Sequence, residues 1–423
     1  MRTAVRLMAV LLALLVGSTG CGGGDDGKAT SAPSTTTSTT SGTNGGGQAC
    51  SPAKPPRALV LVVGIHQNQP APGVPDALSC LLQGAVENGT KLAVVAVDGS
   101  PVLVPMPSHF EIDTDNEARR KDDIKRALKT VVGSVRGARA DSDGSDLFAG
   151  MKIAADFVRV NGAADGQIVV IDSGLSDTGV IDMTRSGMLA VDPAELGDSI
   201  AAELDGLHLK GIQVTLVGFG YTRPPQEPLT AGQSEAVSTL WTKLLTTAGA
   251  TVVPLPAPRT GNSPTTSFTT RPVKVVKPPP PPPPPPCAKT TVVYDDASPV
   301  GFHPKSNEFR DRPAALEVLR EVAGWLLGGP YRSVVVTGTT AGADTVARRV
   351  ARSKGRAETV KKELVLLQVD PSMISTRGVG TDFPEYVDDQ LPGGGLDPVL
   401  AVKNRTVRLT LIETRPDCPK TGG

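Results

Sequence analysis

The sequence predicts an α/β protein: a doubly wound, mostly parallel sheet followed by a small α+β domain, the two joined by a polyproline linker. Three observations carry this expectation. Between residues 55 and 258, short β-branched runs alternate with segments whose apolar residues recur at helical spacing, as in strands joined by crossover helices. Residues 278–286 are an unbroken run of prolines, which adopts polyproline II at ~3.1 Å per residue and acts as a semi-rigid spacer. From residue 288 the order becomes strand, helix, strand, helix, strand, strand, enough for a small mixed sheet with two helices on one face.

Composition agrees with this division. The chain of 423 residues holds 46 Gly and 38 Pro but only 3% aromatic residues, which excludes one compact domain filling its whole length. Lys plus Arg equals Asp plus Glu at 43 each, so no global field favours a nucleic-acid partner and any basic site must be local.

The N-terminus sets the compartment. Arg2 and Arg6 precede an apolar run at 7–16, too short to span a bilayer of ~30 Å, so residues 1–20 are expected to be an export signal. Gly17-Ser18-Thr19-Gly20-Cys21 resembles a bacterial lipobox, although Ser18 stands where Leu is usual. That resemblance implies a lipoprotein, with diacylglycerol and palmitate on Cys21 and residues 21–54 as a flexible tether; several acyl chains hold a protein durably on a membrane. An ordinary secretory signal would give a soluble secreted protein instead. Four further cysteines, Cys50, Cys80, Cys287 and Cys418, suit two disulfides in an exported chain. Connectivity is not readable from spacing, but pairing within each region is simplest, and a Cys287 to Cys418 bridge would contribute roughly 4 kcal/mol by loop closure.

In the first region, strands are expected at 58–63, 92–97, 167–171, 213–217 and 251–253. Helices are expected through Leu78, Leu81 and Ala85; Ile124, Leu128 and Val131; Leu147, Met151 and Ala154; Leu196, Ile200 and Leu204; and Val237, Leu240 and Leu244. Near-continuous apolar strands belong to a parallel sheet covered on both faces. This order resembles a von Willebrand factor type A domain. Members of that family often bind a divalent cation through an Asp-x-Ser-x-Ser turn, a later Thr and an Asp after the central strand. Here the turn reads Gly64-Ile65-His66-Gln67-Asn68, with Ser145 and Asp172 at the other two positions, so no metal is expected: a hard cation needs more oxygen ligands than remain. The resemblance then implies a partner-binding scaffold, docking at the carboxyl edge of the sheet.

Residues 259–287 are expected to be linker and 288–418 the second domain. Strands are expected at 291–294, 334–336, 374–378 and 405–412, and helices through Leu316, Leu319, Ala323 and Leu326 and through Val346, Val350, Ser353, Ala357, Val360 and Leu364. Four ordered motifs then resemble the OmpA-like peptidoglycan-binding domain: Val336-Thr337-Gly338-Thr339-Thr340, Ser353-x-x-Arg356-Ala357-x-x-Val360, 374–380, and Lys403-Asn404-Arg405-x-Val407. In that family an Asp and an Arg fifteen positions later clamp the diaminopimelate of the stem peptide. The Arg position is Arg356, but the Asp position is Ala341, and Thr339 replaces the usual His. Arg349 and Arg352 join Arg356 on one helical face, as an altered anion site or as a solvated basic face. Asp344 is a candidate for the missing carboxylate, and Thr340, Asn404 and Arg405 complete the expected peptidoglycan-binding set.

The resemblances together imply an exported, lipid-anchored envelope protein facing the cell wall or periplasm, with peptidoglycan as partner of the second domain and a protein partner for the first. The alternative is an interaction scaffold that has lost wall affinity. No catalytic motif, nucleotide loop or zinc spacing occurs, so neither enzyme activity nor a cofactor is expected.

Overall fold

β1 (Ala58–Gly64) is buried along its whole length because the sheet has cores on both faces. Ala58, Val60 and Val62 enter one core while Leu59, Leu61 and Val63 enter the other, the two-residue alternation of a strand. The computed structural model describes residues 55–418 apart from 114, 163–164, 256, 258 and 276–286. The expected export signal, Cys21, Cys50 and the proline run lie outside the described residues.

The remaining strands of the first sheet are β2 (Lys91–Val97), β3 (Val102–Leu103), β4 (Gly166–Ile171), β5 (Gln213–Val217) and β6 (Thr251–Leu255), in the order β3-β2-β1-β4-β5-β6. All pair in parallel except β3, a two-residue antiparallel edge too short to show an alternating pattern in sequence. One face carries α1 (Ser79–Glu87) and α2 (Glu117–Gly137). The other carries α3 (Leu147–Asn161), α4 (Pro193–Ser199), α5 (Ala201–Asp205) and α6 (Ala231–Thr247). Helix starts are fixed locally: Asn116, Asp146 and Asp192 accept backbone N–H groups as N-caps, and Thr230 with Gln233 forms a capping box. The helix expected through Leu196, Ile200 and Leu204 is two helices. Ile200 leaves the helical region, and the Ser199 hydroxyl donates to the Leu196 carbonyl, competing with the backbone ladder.

Residues 259–275, expected to be linker, belong to this lobe. Arg259 and Thr270 are buried, and Val273 joins the core. Backbone bonds hold the segment: Thr269 N–H donates to Asp143, Arg271 N–H to Asp177 and Val273 N–H to Gln226. A segment secured by polar contacts carries little hydrophobic signature, which is why composition misplaces the boundary.

The second sheet has the order β7-β10-β8-β9, from β7 (Lys289–Tyr294), β8 (Arg332–Gly338), β9 (Ile374–Gly378) and β10 (Val407–Glu413). β10 is antiparallel to β7 and β8, and β8 runs parallel to β9. α7 (Arg312–Leu327) and α8 (Val346–Leu366) cover it, packing Leu319, Leu326, Val360 and Leu364 onto Val334, Val336, Leu409 and Leu411. The last strand begins later than expected, because α9 (Pro398–Asn404) intervenes, with Asp397 as N-cap and Pro398 in its first turn. Arg405 therefore lies at the end of a helix. The apolar stripe of α8 is also shorter than expected: Val346 is 66% exposed and Val350 is exposed as well, since only the stretch from Ser353 onward lies over the core.

Cys287 and Cys418 form a disulfide, with Cα atoms 5.3 Å apart, beside the β7–β10 pair. Cys80 is also disulfide-bonded. The two lobes belong to one compact unit, joined by ion pairs from Arg405 to Glu195 and from Arg185 to Asp397, with Val399 packed into the core of the first lobe. No helix of the described residues is long and apolar enough to cross a membrane.

Candidate functional site

Two polar centres are built into the fold. The first lies at the carboxyl ends of β1 and β4, around Asp172. Its side chain is fully buried: Oδ1 accepts the Gly174 N–H at 2.6 Å, while Oδ2 lies 3.3 Å from His66 Nε2 and accepts from Gln69 Nε2 at 3.4 Å. The backbone approaches so closely that a Cβ on Gly64 would sit 1.9 Å from Asp172 Oδ2. The cation here belongs to the protein. Arg259 Nη1 donates to Gln69 Oε1 at 2.8 Å and Nη2 donates to the carbonyls of Pro70 and Ala71. Burial would raise the Asp172 carboxyl, but His66, the Gly174 N–H and Arg259 together hold it below the usual carboxylate range. Burial pushes the Arg259 guanidinium down to about 10, against the attraction of Asp172, so it stays charged at neutral pH. Among the described residues no group of His, Cys, Asp or Glu is placed to hold a metal ion. Ser145 donates its N–H to Asp177 at 2.6 Å.

The second centre is a cavity of about 300 Å³ between the lobes. Arg352, Arg356, Arg405 and Lys305 face it with Thr340 and Ala341, and its carboxylates are Asp344 and Glu195. Four cations against two anions leave the lining with an excess of positive charge.

Arg356 is 1% exposed. Its fork is fixed by Nε donating to the Ser306 carbonyl and Nη2 to the His303 carbonyl, both at 3.2 Å, and the guanidinium lies over the Phe302 ring at 5.3 Å. Burial pushes it down to about 10, with Asp296 opposing that shift, so it too remains a cation at neutral pH.

Arg405 is 6% exposed. Its Nη2 donates to both oxygens of Glu195, at 2.9 and 2.8 Å, and Nη1 lies 3.8 Å from Asp296 Oδ2. Asp296 is the internal counter-ion. Burial raises its carboxyl despite Arg356, Arg310 and Arg405 around it. Arg405 Nη1, Arg310 Nη2 and Thr340 Oγ1 are buried with no hydrogen-bond partner among the described residues. Donors so placed are costly unless something accepts from them.

The other expected residues divide. Asp344 lines the cavity, but its oxygens are engaged by the Thr345 N–H, Arg348 and Arg352, and these contacts hold it below the usual carboxylate range. Arg349 turns away, donating to the Gly342 carbonyl, so the three arginines do not act as one face. Asn404 is buried as a brace, exchanging hydrogen bonds with Val387 and donating to Asp389, whose carboxylate accepts the Gly342 N–H. Thr339 Oγ1 donates to the Asn404 carbonyl at 2.6 Å, tying β8 to the end of α9. Sequence reasoning missed Asp296, Arg310 and Glu195. Nothing in the local pattern distinguishes them from surface charges, because each is enclosed only by tertiary packing.

No family model matches the chain, and no curated protein does. Among solved structures, the chain is similar to the peptidoglycan-associated lipoprotein from Burkholderia pseudomallei, with 24% identity, 26% of this chain and 86% of that chain covered, and a TM-score of 0.23. The cell wall anchor of the T6SS from Pseudomonas aeruginosa is similar at 21% identity over 30% of this chain and 82% of that one, with a TM-score of 0.24. The periplasmic domain of Helicobacter pylori MotB (residues 97-256) is similar at 17% identity over 30% and 86% of the respective chains, with a TM-score of 0.25.

Proposed function

We propose that this is a non-enzymatic, lipid-anchored envelope protein whose second lobe binds peptidoglycan stem peptides without a covalent bond, while the first lobe serves as a partner-binding scaffold. Cys21 is the lipidation site in this reading. One observation carries it: a cationic cavity lined by Arg356, whose buried guanidinium is locked in one orientation, together with Arg352, Arg405 and Lys305. A planar, fixed fork suits a carboxylate better than a mobile ammonium would, and the stem peptide offers such carboxylates. The ordered motifs around Thr339, Arg356, Gly378 and Asn404 support the same reading.

Co-sedimentation of the full chain with purified peptidoglycan tests it. The protein is expected in the pellet and to be released by free diaminopimelate, with Arg356→Lys weakening retention about tenfold because Lys keeps the charge but loses the fork. Ala341, in place of an acceptor, favours a second reading as a scaffold without wall affinity. Wild-type protein that stays in the supernatant would establish that one.

A further inference from the structure

We infer that Glu195, contributed by the first lobe, is the acceptor for a ligand ammonium in the inter-lobe cavity, so that contact between the lobes completes a receptor for a zwitterionic amino-acid head. The inference rests on the peptidoglycan reading above and deepens it. The second lobe alone presents the cavity with donors: Arg356, Arg405, Arg352 and Lys305. At Ala341 it has only a methyl group, and its own lining carboxylate, Asp344, is consumed by Arg348, Arg352 and the Thr345 N–H. Asp296 is sealed beneath the arginines and does not line the cavity. A ligand carrying an ammonium beside its carboxylate therefore finds in Glu195 the lining carboxylate engaged by the fewest donors, one nitrogen against three for Asp344.

The placement of Glu195 is built rather than incidental. It sits in the first turn of α4, where Asp192 accepts the Glu195 N–H at 3.0 Å and the neighbouring Leu196 is buried in the first core. Its side chain is 12% exposed, and both oxygens meet the same nitrogen of Arg405. A carboxylate offers about four lone-pair directions, so contact with one nitrogen leaves acceptor capacity toward the cavity. On the same wall, Arg405 Nη1 and Thr340 Oγ1 make no hydrogen bond among the described residues, and Nη1 faces Asp296 at 3.8 Å. The lining cations Arg352, Arg356 and Lys305 receive the ligand carboxylate, and Glu195 receives the ammonium. Arg405 neutralises Glu195 when no ligand is bound.

The test uses the full chain, with meso-diaminopimelate and pimelate, the same dicarboxylate without its amines, as competitors for peptidoglycan. Wild type is expected to prefer meso-diaminopimelate. Glu195→Ala is expected to lose about tenfold in affinity for it while pimelate binding is unchanged or improved, and Glu195→Gln to fall between. Arg185→Ala breaks the other inter-lobe ion pair without touching the cavity and is expected to bind like wild type. Three results overturn the inference alone: unchanged discrimination in Glu195→Ala, tighter binding of meso-diaminopimelate by that variant, which would make Glu195 a competitor for Arg405, or an equal loss in Arg185→Ala. Wild type that ignores peptidoglycan and both competitors overturns the functional reading together with it.

Discussion

Arg259 and Arg356 are enclosed guanidinium groups held by carbonyl oxygens, and each compensates a buried carboxylate. Arg259 does so for Asp172, buried and with its donors spent on Gln69, Pro70 and Ala71, which gives it a structural part. Arg259→Ala leaves Asp172 enclosed without its guanidinium and strips the Pro70 and Ala71 carbonyls of their donor, so a cost of about 3 kcal/mol is expected in chemical denaturation at neutral pH. The acid limb gives a second check. The Asp172 carboxyl lies below its ordinary value in the folded state, so its contribution is present above the unfolded value of about 3.9 and is lost as pH falls through the folded one. Removing Arg259 weakens that depression, and acid unfolding is expected to begin at higher pH in the variant. An unchanged acid midpoint would show that His66 and the Gly174 N–H hold the carboxylate unaided.

At the scale of elements, α8 separates what periodicity can and cannot show. Its apolar residues recur correctly from Val346 to Leu364, yet the first turns run past the edge of the core. Leu364→Ala is expected to cost 2–5 kcal/mol, roughly the range for a closed core site, and Val346→Ala less than about 0.5, both measured by denaturant midpoints. The five long parallel-type strands and the major helices were legible because β-branched runs and helical stripes survive any tertiary arrangement. β3 and α9 were not, being too short for a period. The site was legible in part: Arg356, Arg352, Arg405 and Thr340, all expected in the set, line one cavity. Arg349 departs because a local carbonyl captures it, and Asn404 because Asp389, distant from any motif, accepts its amide. Glu195 was invisible, since an acid in a helix's first turn has an ordinary electrostatic reason to be there.

For the whole molecule, the joining of the lobes is polar, made by Arg405 with Glu195 and Arg185 with Asp397 around the packed α9. Each lobe keeps its own core, so the bridge between Cys287 and Cys418 acts on the second lobe. Replacing both cysteines with serine is expected to destabilise that lobe by about 4 kcal/mol, read as an earlier unfolding transition, while the core around Trp241 keeps its fluorescence midpoint. The same bridge has a mechanical consequence. Lys289, at the start of β7, pairs with Ile412 near the end of β10, and Cys287 and Cys418 lie just beyond that pair. A pull arriving along the chain from the first lobe would otherwise peel β7 from the sheet one hydrogen bond at a time. With the covalent link ahead of the first rung, tension on the chain before Cys287 enters β7 and β10 together instead of β7 alone.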